Sequence, residues 1–141
     1  MKMPAAVFLC VSLSLISHAG VGAADGPVET VQGIIQNQIA AFLNDDAKTA
    51  YSFASPTIRG KFPTEDAFFD MVKKGYGPVY RPGNFAFGRS KIDGGTVMQE
   101  VLISGPDGKD WTALYQVVQQ PDGSYKINGV YMVRAAPGPE I

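Results

Sequence analysis

The chain has 141 residues, 12 basic and 13 acidic, for a formal net charge of −1, with one cysteine and one histidine. Because the charges nearly balance and the basic excess in residues 59–91 is mild, a nucleic-acid partner is excluded. Cys10 and His18 both lie within residues 1–23. If those residues are removed, the chain can form no disulfide, cysteine nucleophile, Ser-His-Asp triad or zinc site that needs His or Cys.

Residues 1–23 are predicted to be a secretory signal peptide. Lys2 precedes an apolar run at 5–16, which is too short to cross a bilayer, and small residues follow it. We place cleavage after Ala23, with Ala19 and Ala24 as alternative sites. The predicted location is therefore the periplasm or the extracellular space, with no stable membrane anchor after cleavage.

The rest of the chain is predicted to be one domain, residues 24–134, followed by a flexible tail at 135–141. A mature chain of about 117 residues has the usual size of a single domain and can bury a core unaided. The tail contains a Pro-Gly-Pro sequence, which favours an irregular end.

The first half of the domain is predicted to be helical. Apolar residues recur at helical spacing between Val28 and Leu43, and Pro27 suits the first turn of that helix. Capping side chains for the later helices are supplied by Asn44-Asp45-Asp46, by Ser55 and by Thr64. The predicted elements are helices at 28–43, 47–54 and 65–74, with a short turn ending near Gly60 and Gly75 as the last C-cap.

The second half alternates between apolar and polar residues, as strands do. Strands are predicted at 85–92, 96–103, 110–119 and 125–134, and short turns that contain Asp-Gly connect them. Such short connections require an antiparallel meander. Asn128-Gly129 predicts a bulge in the fourth strand, and Val79-Tyr80 is predicted to add a brief edge strand. The fold class is therefore α+β, with N-terminal helices on a curved antiparallel sheet of four or five strands.

Several phrases carry a resemblance to a known family. They are Ala-Ser-Pro-Thr-Ile-Arg at 54–59, Gly-Tyr-Gly-Pro-Val-Tyr-Arg-Pro at 75–82, Trp-Thr-Ala-Leu-Tyr at 111–115 and Gln-Pro-Asp-Gly at 120–123. The chain resembles a family of small exported bacterial domains of unknown function, and its element order is similar to the cone-shaped, cystatin-like nuclear-transport-factor-2-like fold. The resemblance implies a cone, but it brings no established activity or catalytic residues.

The stretch 75–87 concentrates aromatic and cationic side chains on a Gly/Pro frame. Tyr76, Tyr80, Arg81 and Phe87 are therefore candidate ligand-binding residues at the mouth of the cone. A guanidinium on a stiff loop suits bidentate capture of a carboxylate. The alternative for Arg81 is a structural contact, with its guanidinium bound to Asp66, Asp70 or a backbone carbonyl at this corner.

The predicted second and third strands supply the other candidates. Gln99 and Glu100 point to opposite faces, so one of them must enter the core. We favour an inward, hydrogen-bonded Gln99, because a buried carboxylate costs several kcal/mol unless it is paired. In the opposite register the pKa of Glu100 would rise. Trp111 and Tyr115 are also candidates for a ligand wall, although their shared face with Ala113 and Val117 favours a core role.

Three functions are compatible with these features. We favour a non-catalytic exported module that binds a small, partly apolar ligand, with a carboxylate as the suggested polar group, in the cavity of the cone. The second is a structural or interaction domain that dimerises through the open sheet face. The third is a histidine-free isomerase or lyase in which Glu100 or Asp70 works with a tyrosine, as carboxyl and phenol groups do in ketosteroid isomerase. No cofactor or metal site is predicted, because Asp107 and Asp122 lie in ordinary turns.

Overall fold

The computed structural model describes residues 26–135, so the predicted signal peptide and residues 136–141 of the predicted tail lie outside it. Within this range a helical half precedes a half made of strands. The helices are α1 (Pro27–Leu43), α2 (Ala47–Ser52), α3 (Pro56–Lys61), α4 (Glu65–Gly75) and α5 (Gly77–Tyr80). The strands are β1 (Asn84–Asp93), β2 (Thr96–Ser104), β3 (Asp110–Gln119) and β4 (Tyr125–Arg134). No helix of the described residues is long and apolar enough to cross a membrane.

Three of the predicted capping side chains begin helices as expected. The carboxylate of Asp46 accepts from the amide of Thr49 at the start of α2. Ser55 and Thr64 accept in the same way from the third residue beyond them, at the starts of α3 and α4. Each cap satisfies a backbone N–H that the first helical turn leaves without a partner. These predictions are confirmed.

Two predictions near residue 75 are wrong. Gly75 is the last residue of α4 and not its cap, which is Tyr76, whose amide donates to the carbonyl of Val72 at 2.9 Å. The predicted strand at 79–80 is instead the end of α5, where the amides of Val79 and Tyr80 both donate to the carbonyl of Tyr76. The proline of α5 explains the difference, because a proline in the first turn favours helical backbone angles.

The strands form one antiparallel sheet in the order β1-β2-β3-β4, and the helices pack on one of its faces. The predicted α+β class is therefore confirmed. Gln116 lies opposite Gly129 and Val117 opposite Ile127, so Asn128 is the extra residue of the predicted bulge. A second bulge was not predicted: Gly88 and Arg89 of β1 together oppose Glu100. Bulges of this kind bend the strand that carries them.

The core lies between α1 and the inner face of the sheet. Buried residues of α1 include Val31, Ile35, Ile39 and Phe42. The inner face of β2 and β3 alternates in register, with fully buried or nearly buried side chains at Val97, Gln99, Val101, Ile103, Ala113, Tyr115 and Val117. On the opposite face Leu102, Tyr131 and Val133 remain 48%, 58% and 58% exposed. The sheet therefore has one covered and one open face.

Candidate ligand-binding site

A cavity of about 360 Å³ lies where α1, α3, α4 and α5 meet β4. Its walls are mainly apolar and include Phe42, Ile58, Phe62, Phe68, Met71 and Val72. Residues 127–131 of β4, which include the bulge at Asn128, complete the wall. The cavity therefore lies beside an edge strand rather than over the centre of the sheet. Its volume falls in the range typical of small-molecule pockets.

Few polar side chains line this cavity, and the two amides among them are already engaged in hydrogen bonds. Gln38 is 3% exposed, and its amide nitrogen donates to the carbonyl of Ala50 at 3.2 Å. Asn128 accepts from the Ser55 hydroxyl at 2.8 Å and donates to the Gln116 side chain at 3.1 Å. Among the described lining residues Lys61 is the one that carries charge, and its side chain is exposed. An apolar body with an anionic end would match this arrangement.

Arg81 and Tyr80 belong to a closed polar network away from the cavity. The Arg81 guanidinium binds the Asp45 carboxylate at 2.8 Å and donates to the backbone carbonyls of Phe42 and Tyr80. The Tyr80 hydroxyl donates to the same Asp45 oxygen, and the Arg81 guanidinium lies 4.0 Å from the centre of the Tyr80 ring. The network therefore ties α5 to the C-terminal end of α1.

Arg81 makes a structural contact, as the alternative interpretation predicted, and its predicted hydrogen bond to a backbone carbonyl is confirmed. The prediction of its acidic partner was wrong. That partner is Asp45, beyond the end of α1, and not Asp66 or Asp70. The hydrogen bond from Tyr80 and the contact with Arg81 hold the pKa of Asp45 below its usual value. The same hydrogen bond raises the pKa of Tyr80. The network therefore favours an ionised Asp45 carboxylate and a neutral Tyr80 hydroxyl.

The favoured register of β2 is confirmed. Gln99 has no exposed surface and donates to the carbonyls of Gly88 and Arg89, both at 3.3 Å. The side-chain amide oxygen of Gln99 accepts a hydrogen bond from the side-chain amide of Gln32 of α1 at 3.2 Å. The β1 bulge brings these carbonyls within reach of the inward amide, so Gln99 has a structural role there.

Glu100 faces the open side of the sheet. It accepts from the backbone amide of Arg89 at 3.2 Å and from the terminal nitrogen of that guanidinium at 3.0 Å. Arg89 therefore lowers the pKa of Glu100. The opposite register, with a raised pKa, is wrong for this chain.

Three of the remaining candidates, Phe87, Trp111 and Tyr115, also lie outside the cavity lining. Tyr115 is wholly buried opposite Gln99 and Val130, and burial raises the pKa of its hydroxyl. Neither this hydroxyl nor the buried indole nitrogen of Trp111 has a hydrogen-bond partner among the described residues. Phe87 packs edge-on against Phe85, with ring centres 6.0 Å apart. Of all the candidates, Tyr76 is the one that lines the cavity.

The family model described as Domain of unknown function (DUF4864) matches residues 25–140. The chain belongs to the DUF4864 family. No curated protein matches it. An NTF-2 like protein of unknown function from Burkholderia xenovorans LB400 is similar in structure, with a TM-score of 0.51 and 12% identity over 79% of this chain and 89% of that one. At this identity the similarity establishes the fold alone, and the predicted family and cone-shaped fold are both confirmed.

Sequence reasoning missed most of the cavity of this DUF4864 protein. Ile58, Phe62, Met71 and Lys61 were not among the predicted site residues. Tyr76 was the one predicted candidate that lines the cavity, and the predicted bulge residue Asn128 lies in its wall. Within residues 26–135 no cluster of His, Cys, Asp or Glu could hold a metal ion.

Proposed function

We propose that this DUF4864 protein is an exported, non-catalytic module that binds a small, partly apolar carboxylate in the cavity beside β4. The observation that carries the proposal is the cavity of about 360 Å³, which combines apolar walls with Lys61 as the one charged lining residue among those described. The apolar part of the ligand would contact residues such as Phe62 and Met71, and its carboxylate would lie near Lys61. The predicted signal peptide supports the exported location.

The distribution of acidic groups supports binding rather than catalysis. Acid/base chemistry needs a carboxyl group and a phenol that converge on one substrate atom. The described cavity residues include the phenol of Tyr76 but no carboxylate. Glu100 and Asp45, which lie elsewhere, are paired with arginines and have lowered pKa values. They are therefore ionised at neutral pH and unsuited to act as general acids.

The expected affinity is low. Each methylene group removed from water contributes about 0.8 kcal/mol, so a chain of six contributes roughly 5 kcal/mol. Association costs several kcal/mol in lost freedom of motion, and a single exposed ion pair adds at most about 1 kcal/mol. We therefore expect octanoate to bind weakly, with a Kd in the millimolar range.

Octanoate titration by isothermal calorimetry tests the proposal. Met71→Trp should fill part of the cavity and weaken octanoate binding at least about tenfold, a change of 1.4 kcal/mol. Met98→Trp, on the open face of β2, is the matched control and should leave binding unchanged. Lys61→Ala should weaken octanoate about twofold to fivefold and leave the binding of octanol unchanged. Absence of octanoate binding, or binding that Met71→Trp does not affect, would contradict the proposal.

A second candidate function is dimerisation through the open face of the sheet. Leu102 and Val133 flank Thr112 in one cross-strand row, and Leu114 lies beside Tyr131 in the next, so the exposed apolar side chains are contiguous. Contiguous apolar patches of this kind mark interaction surfaces. Analytical ultracentrifugation separates the two functions, because this one requires a stable dimer without octanoate that Leu102→Glu dissociates.

A further inference from the structure

The outer side of β4 is covered along its first half. The amide of Ser55 donates to the carbonyl of Ile127, and the amide of Ile127 donates to the carbonyl of Phe53, both at 2.8 Å. These bonds form an isolated parallel bridge between Ala54 and Ile127. The chain then turns into α3 and leaves β4, so the bridge ends where the bulge begins.

The second half of β4 presents backbone groups to the outside. The amide of Ala135 donates to the carbonyl of Asp110 at 3.0 Å, which identifies these residues as a hydrogen-bonded pair of the ladder. In an antiparallel pair such positions alternate with positions whose N–H and C=O point away from the partner strand. From the register, the outward positions are Val130, Met132 and Arg134. Among the described residues, none outside the sheet bonds to their backbone groups.

This unpaired edge adjoins the cavity. Val130 has outward backbone groups and also lines the cavity, together with its neighbours Gly129 and Tyr131. A strand added here would run about 4.8 Å from β4, and its alternate side chains would point to the helix side of the sheet. Side chains at every second position of such a strand would therefore face the cavity, while its backbone bonds to β4. This combination is how β-strand addition achieves affinity and selectivity.

The charges beside the edge favour an acidic partner. The unpaired half of β4, residues 130–134, carries Arg134 and no acidic residue, and Lys61 lies at the cavity on α3. A second copy of the chain that used the same edge would bring its own Arg134 and Lys61 there and would raise the local positive charge without an acidic partner from β4. An acidic segment from another molecule meets no such repulsion.

We propose that the natural ligand of the cavity is an extended acidic peptide that adds to β4 as a fifth strand. Its backbone pairs with Val130, Met132 and Arg134, an apolar side chain enters the cavity, and a carboxylate lies near Lys61. The inference rests on the proposed function, because it names the class of molecule that carries the apolar group and the carboxylate.

Titration with a defined peptide, followed by the amide NMR signals of the protein, tests the inference. The probe is the acetylated, amidated heptapeptide Glu-Thr-Leu-Thr-Glu-Thr-Leu, which places its leucine and glutamate side chains on one face of an extended strand. We expect the largest shifts at the amides of Val130, Met132 and Arg134. A peptide with lysine in place of glutamate should bind at least about tenfold more weakly. Two further peptides carry N-methyl groups at every second residue, one starting at the first residue and the other at the second; these are the two phases. The phase that methylates the amides facing β4 should abolish binding, and the other phase should leave binding intact.

A substitution in β4 gives an independent test. Met132→Pro removes an outward N–H, and proline is tolerated at such edge positions because the ladder to the inner strand is kept. It should weaken the peptide at least about tenfold, whereas Met132→Ala, which keeps the amide, should weaken it less than about threefold. If Met132→Pro does not fold, the N-methylated peptides decide the question with the wild-type protein.

The outcomes separate this inference from the proposed function. If octanoate binds and the peptide does not shift the β4 amides, strand addition is overturned while the cavity function stands. If neither binds, both fail. Peptide binding that tolerates N-methylation in both phases, or that prefers lysine, also overturns the inference. Self-association that shifts the same amides without peptide would identify a second copy as the occupant and overturn it as well.

Discussion

The corner around Arg81 and the cavity beside β4 differ in how they use their polar groups. At the corner, Asp45, Tyr80 and Arg81 satisfy one another and the last carbonyls of α1. At the cavity, apolar walls surround a volume that the packed elements do not fill, and Lys61 lies at its side without an ion pair among the described residues. A conspicuous aromatic and cationic motif can thus mark a strong internal contact, whereas binding capacity arises where packing is incomplete.

The position of the corner explains why it is closed. The C-terminal end of a helix carries a partial negative charge on its free carbonyls, which attracts cations. Arg81 donates to the carbonyl of Phe42 in the last turn of α1, and Asp45 follows two residues after that helix ends. The guanidinium therefore meets a carbonyl and a carboxylate at once, and little of its binding capacity remains for a ligand.

The largest effect that tests this comparison is expected from Arg81→Ala. Loss of its hydrogen bonds to Phe42, Tyr80 and Asp45 should lower the free energy of unfolding by roughly 1–2 kcal/mol, measured by urea denaturation. Arg89→Ala is the matched control. The Arg89 side chain is 90% exposed, so this substitution should leave the urea midpoint nearly unchanged. Octanoate affinity should be unchanged in both variants. A variant of Arg81 with normal stability and weakened octanoate binding would show that the corner is a ligand site after all.

A smaller effect is expected from acidification. The pKa of Asp45 is lowered in the folded protein from a reference value of 3.8, by the Tyr80 hydroxyl and by Arg81. A lowered folded pKa contributes stability above the unfolded pKa, and this contribution is lost as pH falls through the folded value. The Tm of the wild type should therefore fall more steeply below about pH 4 than the Tm of Asp45→Asn. Parallel Tm curves for the two proteins between pH 7 and 2.5 would contradict a closed, ionised corner.

The smallest effect is expected from Tyr115→Phe. This hydroxyl is buried without a partner among the described residues, yet it lies in the packed interior and not at the cavity. Its removal should change the free energy of unfolding by less than about 1 kcal/mol, with any change towards greater stability. Octanoate binding should stay the same, since an unpaired group alone does not make a site. A loss of more than about 1 kcal/mol in urea denaturation would reveal a hydrogen bond to this hydroxyl.

Much of the fold could be predicted because its signals are local. The caps Asp46, Ser55 and Thr64 act on amides three residues away, and the glycines of the three hairpin turns, Gly94, Gly108 and Gly123, have positive φ angles. Such residues specify helix starts and turns with few long-range contacts. The β1 bulge was missed because Gly88-Arg89 carries no comparable turn signal. The strand predicted at 79–80 was wrong because the proline in α5 favours a helical turn.

The amino-acid sequence was sufficient to predict the α+β class, the antiparallel meander and the bulge at Asn128, since these follow from spacing over a few residues. The inward direction of Gln99 was favoured because burial of Glu100 in its place would cost more free energy. The tertiary structure decided which polar groups meet. Asp45 and Arg81 are 36 residues apart in sequence, and Lys61, Met71 and Val130 meet at one cavity from three different elements. The volume of the cavity also depends on the tertiary structure, because side chains from distant segments form its walls. No local sequence pattern encodes the space that they leave.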